Sequence, residues 1–161
     1  MNEMIITEML TDDFKKASAM ADEWYREKYG AEYDRFMPMN APETLDEYFV
    51  VKDGDEIAGC GALRFLTKKT AELKRVFVAE GFREQGIARS IVKACEDEAK
   101  RRGFTEIVLE TDCGQTAARR LYDSLGYVRI PNFGEFENED KSVCMKKTLV
   151  FPKAGKLSSL V

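Results

Sequence analysis

The stretch "VFVAEGFREQGIARSIVKACEDEAKRRGF" (residues 76–104) decides the fold, because it changes from a strand pattern to a helix pattern. Its first residues are bulky and apolar, as in a buried strand, whereas residues 87–102 place apolar side chains at helical spacing. Between them lies the turn "REQGIA" (83–88), where Gly86 and Ala88 leave the backbone almost bare. We therefore ask what a bare turn between a strand and a helix is built to accommodate.

The turn is suited to a phosphate group. The N-terminus of a helix leaves backbone N–H groups unpaired and carries a partial positive charge. An anion can approach these groups closely only where no Cβ holds it away, and Gly86 and Ala88 meet that requirement. Arg83 adds a permanent positive charge. The alternative is an ordinary strand-to-helix turn whose glycine serves the backbone angles.

The helix after the turn has two distinct faces. An apolar face is predicted from the spacing of Ile87, Ile91, Ala94, Cys95 and Ala99. The other face carries charge pairs at i, i+4, among them Glu96–Lys100 and Glu98–Arg102.

The remaining sequence predicts an α/β fold with a mixed central sheet flanked by helices. Strands are expected at 3–9, in a hairpin over 47–66 that turns at Asp53-Gly54, and at 70–78, 105–111, 127–130 and 142–149. Helices are expected at 12–28 after an N-cap at Thr11, at 87–102 and at 116–127, with a short one near 43–46. Residues 29–42 are expected to be irregular. We predict one domain over residues 1–150 and a C-terminal tail over 151–161.

Composition excludes several classes of protein. The chain has 161 residues, a formal net charge of −4 and a pI near 5.1, which argues against nucleic-acid binding. It contains no histidine, which removes Ser-His-Asp and Cys-His hydrolases and Cys/His zinc sites, and no metal is expected. Any enzymatic proton transfer must then use carboxylates, tyrosine, lysine, cysteine or water.

The expected location is the cytoplasm. No apolar run approaches the roughly 20 residues that cross a bilayer, and the N-terminus carries acidic residues where a signal peptide has lysines. A membrane partner is therefore not expected. The four scattered cysteines are predicted to be buried free thiols (Cys60, Cys95, Cys113 and Cys144). The oligomeric state is left open, a homodimer included.

Two motifs together resemble the GNAT family, the GCN5-related N-acetyltransferases. "RVFVAEGFREQGIARSIV" is similar to the family's [QR]-x-x-G-x-[GA] signature, matched by Arg83, Gly86 and Ala88. "AARRLYDSLGYVRI" resembles its second motif, a helix with a tyrosine followed by Gly-Tyr. The predicted element order over residues 3–149 also agrees with the GNAT acyl-CoA N-acyltransferase fold. The resemblance implies an acetyl-CoA-dependent N-acetyltransferase that acts on a primary amine.

The resemblance also implies where the cosubstrate acetyl-CoA would lie. Its pantetheine arm would pair with the main chain of Val76, Phe77 and Val78, where the 70–78 strand splays from the 105–111 strand. Gln115 takes the place where the family often has an asparagine on the CoA arm, and a glutamine side chain reaches farther than that of asparagine. The pyrophosphate would lie on the amides of the turn, which are those of Glu84, Gln85, Gly86, Ile87, Ala88 and Arg89.

The resemblance suggests a catalytic acid and a catalytic base. Tyr122 matches a family tyrosine that protonates the CoA thiolate; the alternative is a core tyrosine on the inner face of its helix. Glu72 stands 11 residues before Arg83, the separation of the base glutamate in histone-acetylating relatives. Its alternative is a solvated strand residue paired with Lys74, and many family members need no dedicated base. Cys113, a conceivable nucleophile, is interpreted as structural.

The acceptor is expected to be a small amine or a peptide. In the GNAT fold it contacts the first helical region and the loop before the last strand, here "WYREKYGAEYDRFMPMN" and "RIPNFGEFENEDK". The loop's acids favour a cationic amine, and Arg26, Lys28 and Arg35 are able to hold a carboxylate. Three alternatives stay open: a non-catalytic acyl-CoA sensor, a nucleotide-binding domain that lacks the usual glycine motifs, and a transferase for another acyl group.

Overall fold

The computed structural model describes residues 2–150, which form a seven-stranded mixed sheet with helices on both faces. The predicted tail over 151–161 lies outside the described residues. The helices are α1 (Asp12–Tyr29), α2 (Ile87–Arg101) and α3 (Thr116–Ser124). The strands are β1 (Asn2–Thr7), β2 (Glu47–Asp53), β3 (Glu56–Phe65), β4 (Thr70–Val78), β5 (Glu106–Asp112), β6 (Val128–Ile130) and β7 (Ser142–Thr148). The α/β class and the mixed sheet flanked by helices are confirmed.

The strands lie in the order β1-β2-β3-β4-β5-β7-β6. β4 and β5 are parallel, and the other neighbours are antiparallel. The β2–β3 hairpin pairs Asp53 with Glu56, so the two residues of its turn are Gly54 and Asp55, one position later than expected. Among residues 2–150, no helix is both long and apolar enough to cross a membrane.

Two apolar cores lie on opposite faces of the sheet, because strand side chains alternate. On one face, Tyr48 and Val50 of β2 pack in the cluster that contains α1. On the other, Phe49 and Val51 pack in the cluster that contains α2. Each large apolar side chain that is fully buried contributes about 1.5–3 kcal/mol.

Helix α1 begins as predicted, and the segment after it is more regular than predicted. The Thr11 hydroxyl accepts a hydrogen bond from the Phe14 amide at 3.2 Å, which is the expected N-cap. Residues 30–40, expected to be irregular, form 3₁₀ turns, and the short helix expected near 43–46 is a single 3₁₀ turn at Pro42–Thr44. A tertiary contact fixes the longer segment, because Tyr33 is buried and donates to Asp22 Oδ1 at 2.7 Å. The spacing of residues in the sequence does not predict that contact.

Helix α2 has the predicted apolar face, but one predicted charge pair is wrong. Glu96 was expected to pair with Lys100 on the solvent side, and it is buried instead. It accepts hydrogen bonds from Lys147 Nζ at 2.8 Å and from the Tyr127 hydroxyl at 2.9 Å. A buried carboxylate needs hydrogen-bond donors inside the protein, and Lys147 and Tyr127 supply them. A lysine on the solvent side of the same helix does not meet that need.

Two predictions of burial are also wrong. Helical spacing in 116–127 predicts Ala117 on the inner face of α3, but Ala117 is exposed, because only the side of α3 that includes Tyr122 packs against the sheet. Three of the cysteines are buried as predicted, whereas Cys113 is exposed. Cys113 lies in the turn between β5 and α3, beyond the last residue of the strand.

Glycines on β3 allow α2 to lie close to the sheet. A Cβ on Gly59 would lie 2.7 Å from the Phe77 carbonyl oxygen and 3.2 Å from Ile91 Cδ1. A Cβ on Gly61 would lie 2.5 Å from Ile91 Cγ2. These separations are shorter than van der Waals contact, so neither position tolerates a side chain without movement of its surroundings.

We predict that Gly59→Ala lowers the free energy of unfolding by about 1–3 kcal/mol, because the carbonyl beside it belongs to the backbone of β4. Urea denaturation followed by circular dichroism measures the change. Gly81→Ala is the matched control, since its Cβ would meet nothing within 4 Å. Equal stability of the two variants would contradict this account of the β3–α2 contact.

Candidate active site

The site begins where β4 and β5 separate. Their parallel register runs from Thr70 opposite Glu106 to Leu73 opposite Leu109 and then ends. The register of β3 with β4 omits Arg75 and Val76. Val76 lies in this irregular stretch and has no partner in β5, so the predicted splay of β4 from β5 is present.

A β-bulge at Arg75 accompanies the separation. Cys60 pairs with Phe77 and Ala62 pairs with Lys74, so the single residue between them on β3 faces two residues of β4. Arg75 has φ +58°, in the left-handed region that a residue with a large side chain rarely adopts. A residue held in this conformation costs of order 1–3 kcal/mol and persists only where its surroundings fix it.

The buried guanidinium of Arg75 supplies that fixation. It lies under α1, with its side chain 2% exposed. Nη2 donates to Asp22 Oδ1 at 2.8 Å and to the Ser18 carbonyl at 2.6 Å, and Nη1 donates to the Tyr33 hydroxyl at 2.9 Å. These charge-assisted bonds connect the bulge to α1 and to the 3₁₀ segment after it.

A cavity of 610 Å³ lies at the separation of β4 and β5. Its wall is aromatic on the side of α1 and the 3₁₀ segment, and charged on the side of β4 and β5. The aromatic lining residues are Tyr25, Tyr29, Tyr33, Phe36, Tyr122 and Phe136. The charged lining residues of the two strands are Glu72, Lys74, Arg75, Glu110 and Asp112.

Glu72, the predicted base, lies in this cavity and is not a solvated residue. It is 2% exposed. Its Oε2 lies 3.7 Å from Lys74 Nζ and its Oε1 lies 3.9 Å from an Arg64 Nη, so both cations attract it without forming a hydrogen bond. Burial raises the pKa of Glu72 above its ordinary value of 4.5, and the two cations oppose that shift. A carboxylate with a raised pKa is a stronger base.

Sequence reasoning missed two further charged groups of the cavity as site residues. Burial raises the pKa of Glu110, whose Oε2 accepts a hydrogen bond from the Ser142 hydroxyl at 2.7 Å. Burial lowers the pKa of Lys74, and the carboxylate of Glu72 opposes that effect. The available signal was the position of Glu110 in β5, directly after the buried apolar run 107–109.

Tyr122, the predicted acid, lies in the same cavity as Glu72. It is 7% exposed, and its ring packs edge-on against Tyr127 with 5.6 Å between the ring centroids. Within residues 2–150 its hydroxyl makes no hydrogen bond. Burial raises the pKa of Tyr122 well above its ordinary value of 10, so the hydroxyl keeps its proton at neutral pH.

The glycine turn leaves the first amides of α2 without a side-chain cap. Gly86 is the N-cap residue with φ +78°, and no side chain of the described residues 2–150 accepts from the first turn of α2. Glu84 also has positive φ, at +63°. Left-handed residues in such a turn point successive N–H groups toward one side, which forms a concave site for an anion.

Arg83 already has partners around the turn. Its Nε donates to the Val78 carbonyl at 3.0 Å, and its guanidinium lies 4.7 Å from the ring centroid of Trp24. The Val78 carbonyl therefore has a partner on its own chain. The two Nη groups of Arg83 keep the positive charge beside the turn.

Of the other predicted cofactor residues, two line the cavity and the rest lie outside its lining. Val76 and Gln115 line the cavity, and the Gln115 amide donates to the Tyr29 hydroxyl at 2.9 Å. Arg89 uses its side chain to bond the Ser124 hydroxyl at 2.8 Å, which connects α2 to α3. The remaining ones lie outside the cavity lining, on β4 or in the turn: Phe77, Val78, Glu84, Gln85, Gly86, Ile87 and Ala88.

The two segments predicted to contact the acceptor meet over the cavity. Arg35 of the 3₁₀ segment bonds Glu139 of the loop before β7, and both line the cavity. Arg26 instead pairs with Asp34 at 3.2 Å on the exposed surface, and Lys28 lies 5.1 Å from the ring centroid of Trp24. Of the three basic residues proposed to hold a carboxylate, Arg35 is the one in the cavity lining.

Comparison with known proteins identifies the family. The sequence profile of the acetyltransferase (GNAT) family matches residues 6–127, and the chain belongs to this family, as its motifs predicted. An uncharacterized N-acetyltransferase, YsnE from Bacillus subtilis, is 35% identical over 101 residues, which are 60% of this chain and 66% of that protein. The match thus spans just under two thirds of that relative's length.

Solved structures show the same fold. A putative acyl-CoA N-acyltransferase from Klebsiella pneumoniae superposes with a TM-score of 0.75 and 25% identity, covering 93% of this chain and 99% of that one. A GNAT family acetyltransferase from Elizabethkingia anophelis, solved with acetyl-CoA bound, gives a TM-score of 0.68 and 20% identity, covering 92% and 98%. Acetyl-CoA is the cosubstrate of the family.

We predict that Glu110→Gln stabilises the protein at pH 7 by about 0.5–2 kcal/mol, because it removes a buried charge from a site that favours the neutral form. The folded-state pKa is raised, so the unfolded chain ionises first as pH rises above about 4.5, and ionisation favours unfolding. The difference in free energy of unfolding between Glu110→Gln and the wild type should therefore increase from pH 4 to pH 7.

Urea denaturation at several pH values measures that difference. Glu137→Gln, which removes one negative charge from an exposed position, is the control. A difference for Glu110→Gln that stays constant with pH, or decreases as pH rises, would contradict burial as the cause.

Proposed function

We propose that this protein transfers the acetyl group of acetyl-CoA to a primary amine of a small molecule or peptide, by direct attack in a ternary complex. The observation that carries the proposal is the separation of β4 from β5 at Leu73, with Glu72 and Tyr122 in one cavity beside it. Family membership supports the reaction type.

The cosubstrate is acetyl-CoA, and the chain offers a place for each part of it. The uncapped amides of the glycine turn and the Nη groups of Arg83 receive the pyrophosphate. The stretch of β4 at Val76, which has no partner in β5, offers main-chain groups to the pantetheine arm. The acetyl-CoA bound to the Elizabethkingia relative supports this choice of ligand.

The residues of the cavity then carry the proton transfers. The ammonium of the acceptor loses a proton to Glu72, directly or through water, and its nitrogen attacks the thioester carbonyl. The new C–N bond forms, the C–S bond breaks, and the leaving thiolate takes the proton of Tyr122, while the nitrogen, which becomes cationic on attack, gives up its second proton to the resulting tyrosinate, directly or through water. The amide of Val76 donates to the carbonyl oxygen as negative charge develops on it.

Acids on the cavity wall favour an acceptor that arrives as a cation. Glu72, Glu110 and Asp112 line the cavity from β4 and β5, and Glu32, Glu139 and Asp140 line it from the 3₁₀ segment and the loop before β7. This arrangement attracts an ammonium and delivers it to the base. The site is less suited to a sensor, which needs neither an acid nor a base beside the thioester.

The first test is release of free CoA from acetyl-CoA in the presence of a panel of amines, with the products identified by mass. We predict that Tyr122→Phe lowers kcat about a hundredfold or more, while the affinity for acetyl-CoA changes little, because the hydroxyl acts on the leaving thiolate. Unchanged turnover would remove Tyr122 as the acid. Wild-type protein that binds acetyl-CoA and acetylates no amine would favour the sensor.

A second test concerns the phosphate site. We predict that Gly86→Glu weakens binding of CoA at least about tenfold in calorimetry, because it places a carboxylate where the pyrophosphate lies. Gly54→Glu is the matched control, since Gly54 also has positive φ and open space, so it carries the same backbone strain and charge at the hairpin turn. Equal affinities of the two variants would contradict a phosphate site at the turn.

A further inference from the structure

Lys74 carries a buried charge that the protein only partly satisfies. Its side chain is 5% exposed, and its Nζ lies 3.7 Å from Glu72 Oε2 and 5.6 Å from the ring centroid of Phe136. The first distance is that of an ion pair and is longer than a usual hydrogen bond. A buried ammonium with incomplete hydrogen bonding is costly, so an acceptor group from a ligand is expected beside it.

Glu72, the ion-pair partner of Lys74, is also buried and also lies beyond the usual hydrogen-bond distance from its nearest cations. Glu72 is 2% exposed, and its two nearest cationic groups, on Lys74 and Arg64, are 3.7 and 3.9 Å away. The cavity thus presents a negative and a positive group side by side, each able to form further hydrogen bonds. Glu110 adds a second carboxylate on the neighbouring strand.

A ligand with both charges fits this pair. The ammonium and the carboxylate of an α-amino acid are separated by one carbon atom. The ammonium can therefore lie beside the carboxylate of Glu72 while the carboxylate lies beside the ammonium of Lys74. Each charge then has an opposite neighbour and a hydrogen bond, and the charges of the site are compensated. An amine without a carboxylate leaves Lys74 unsatisfied.

We propose that the acetyl acceptor is a free α-amino acid, with its ammonium on Glu72 and its carboxylate on Lys74. This inference rests on the proposed function and specifies its substrate class. It disfavours peptides, because the first residue of a peptide has an amide in place of the α-carboxylate. Lys74 is then a specificity-determining residue.

The cavity wall indicates the side chain of that amino acid. Tyr25, Tyr29, Phe36 and Phe136 line it, and the rings of Tyr25 and Tyr29 are stacked with 6.2 Å between their centroids. The volume of 610 Å³ exceeds the need of a small polar acceptor. A bulky apolar or aromatic side chain has matching surfaces to contact.

The experiment compares three acceptors of one shape with the wild-type protein: phenylalanine, phenylalaninamide and phenethylamine, followed by the same series for leucine. We expect kcat/KM to be at least about tenfold higher for the amino acid than for its amide or amine, because a site built for a charged group rejects the analogue that lacks it. The amine of the amide loses its proton more readily, so its intrinsic reactivity works against this result.

Each outcome separates the two proposals. Amides or amines acetylated as well as the amino acids would overturn this inference and leave the N-acetyltransferase function standing. Turnover of peptides but of no free amino acid would do the same. Absence of turnover with every amine, in protein that binds acetyl-CoA, would overturn both.

Variants then assign the preference to Lys74. Lys74→Met should bring the ratio of kcat/KM between amino acid and amide close to one, and Lys74→Arg should keep it above one. Lys146→Met is the matched control, because Lys146 pairs with Glu106 at 3.5 Å and lies outside the cavity lining. A Lys74→Met protein that retains the wild-type ratio would overturn the role of Lys74.

Discussion

The site depends on the buried guanidinium of Arg75. A strand in the middle of a sheet normally pairs along its whole length, because unpaired backbone is costly. Here β4 leaves β5 after Leu73, at the point where Arg75 adopts a left-handed conformation and inserts an extra residue opposite β3. The conformation costs energy, and the hydrogen bonds from Arg75 to Asp22, Ser18 and Tyr33 offset that cost.

The separation of the strands brings together residues that an unbroken sheet would keep apart. Tyr122 belongs to the core on the α2 face, whereas Tyr25 packs against the core on the α1 face. Both line the same cavity, because the sheet is open between β4 and β5. The proposed leaving-group acid and the proposed acceptor site therefore meet through a gap in the sheet. The bulge that opens the gap also connects β4 to α1, so the acceptor wall is fixed to the same residue.

Much of this arrangement could be predicted from the sequence, because it rests on local patterns. The bounds of β4 and the N-cap at Thr11 follow from alternation, helical spacing and capping. The motif around Gly86 and the tyrosine of α3 identified the family, and Glu72 and Tyr122 do lie in one cavity.

What the sequence did not predict depends on contacts between distant residues. Glu96 looked like half of a surface pair, and only the approach of β7 shows that Lys147 and Tyr127 take that role. Lys74 looked like a solvated neighbour of Glu72, and only the cavity reveals that both are buried. A glutamate within a strand looks the same in the sequence whether its side chain faces water or a pocket, so its burial is known only from the three-dimensional fold.

Burial is also the means by which a chain without histidine can perform acid–base chemistry. Glutamate and tyrosine have ordinary pKa values on either side of neutrality, and desolvation raises both. For Glu72 the shift is toward neutral pH, which improves a base; for Tyr122 it is away from neutral pH, which keeps the hydroxyl protonated. The same desolvation destabilises the folded protein wherever a charge is retained, as at Glu72 and Lys74. A zwitterionic acceptor would compensate those charges, so the feature that costs stability in the empty cavity becomes the feature that selects its ligand.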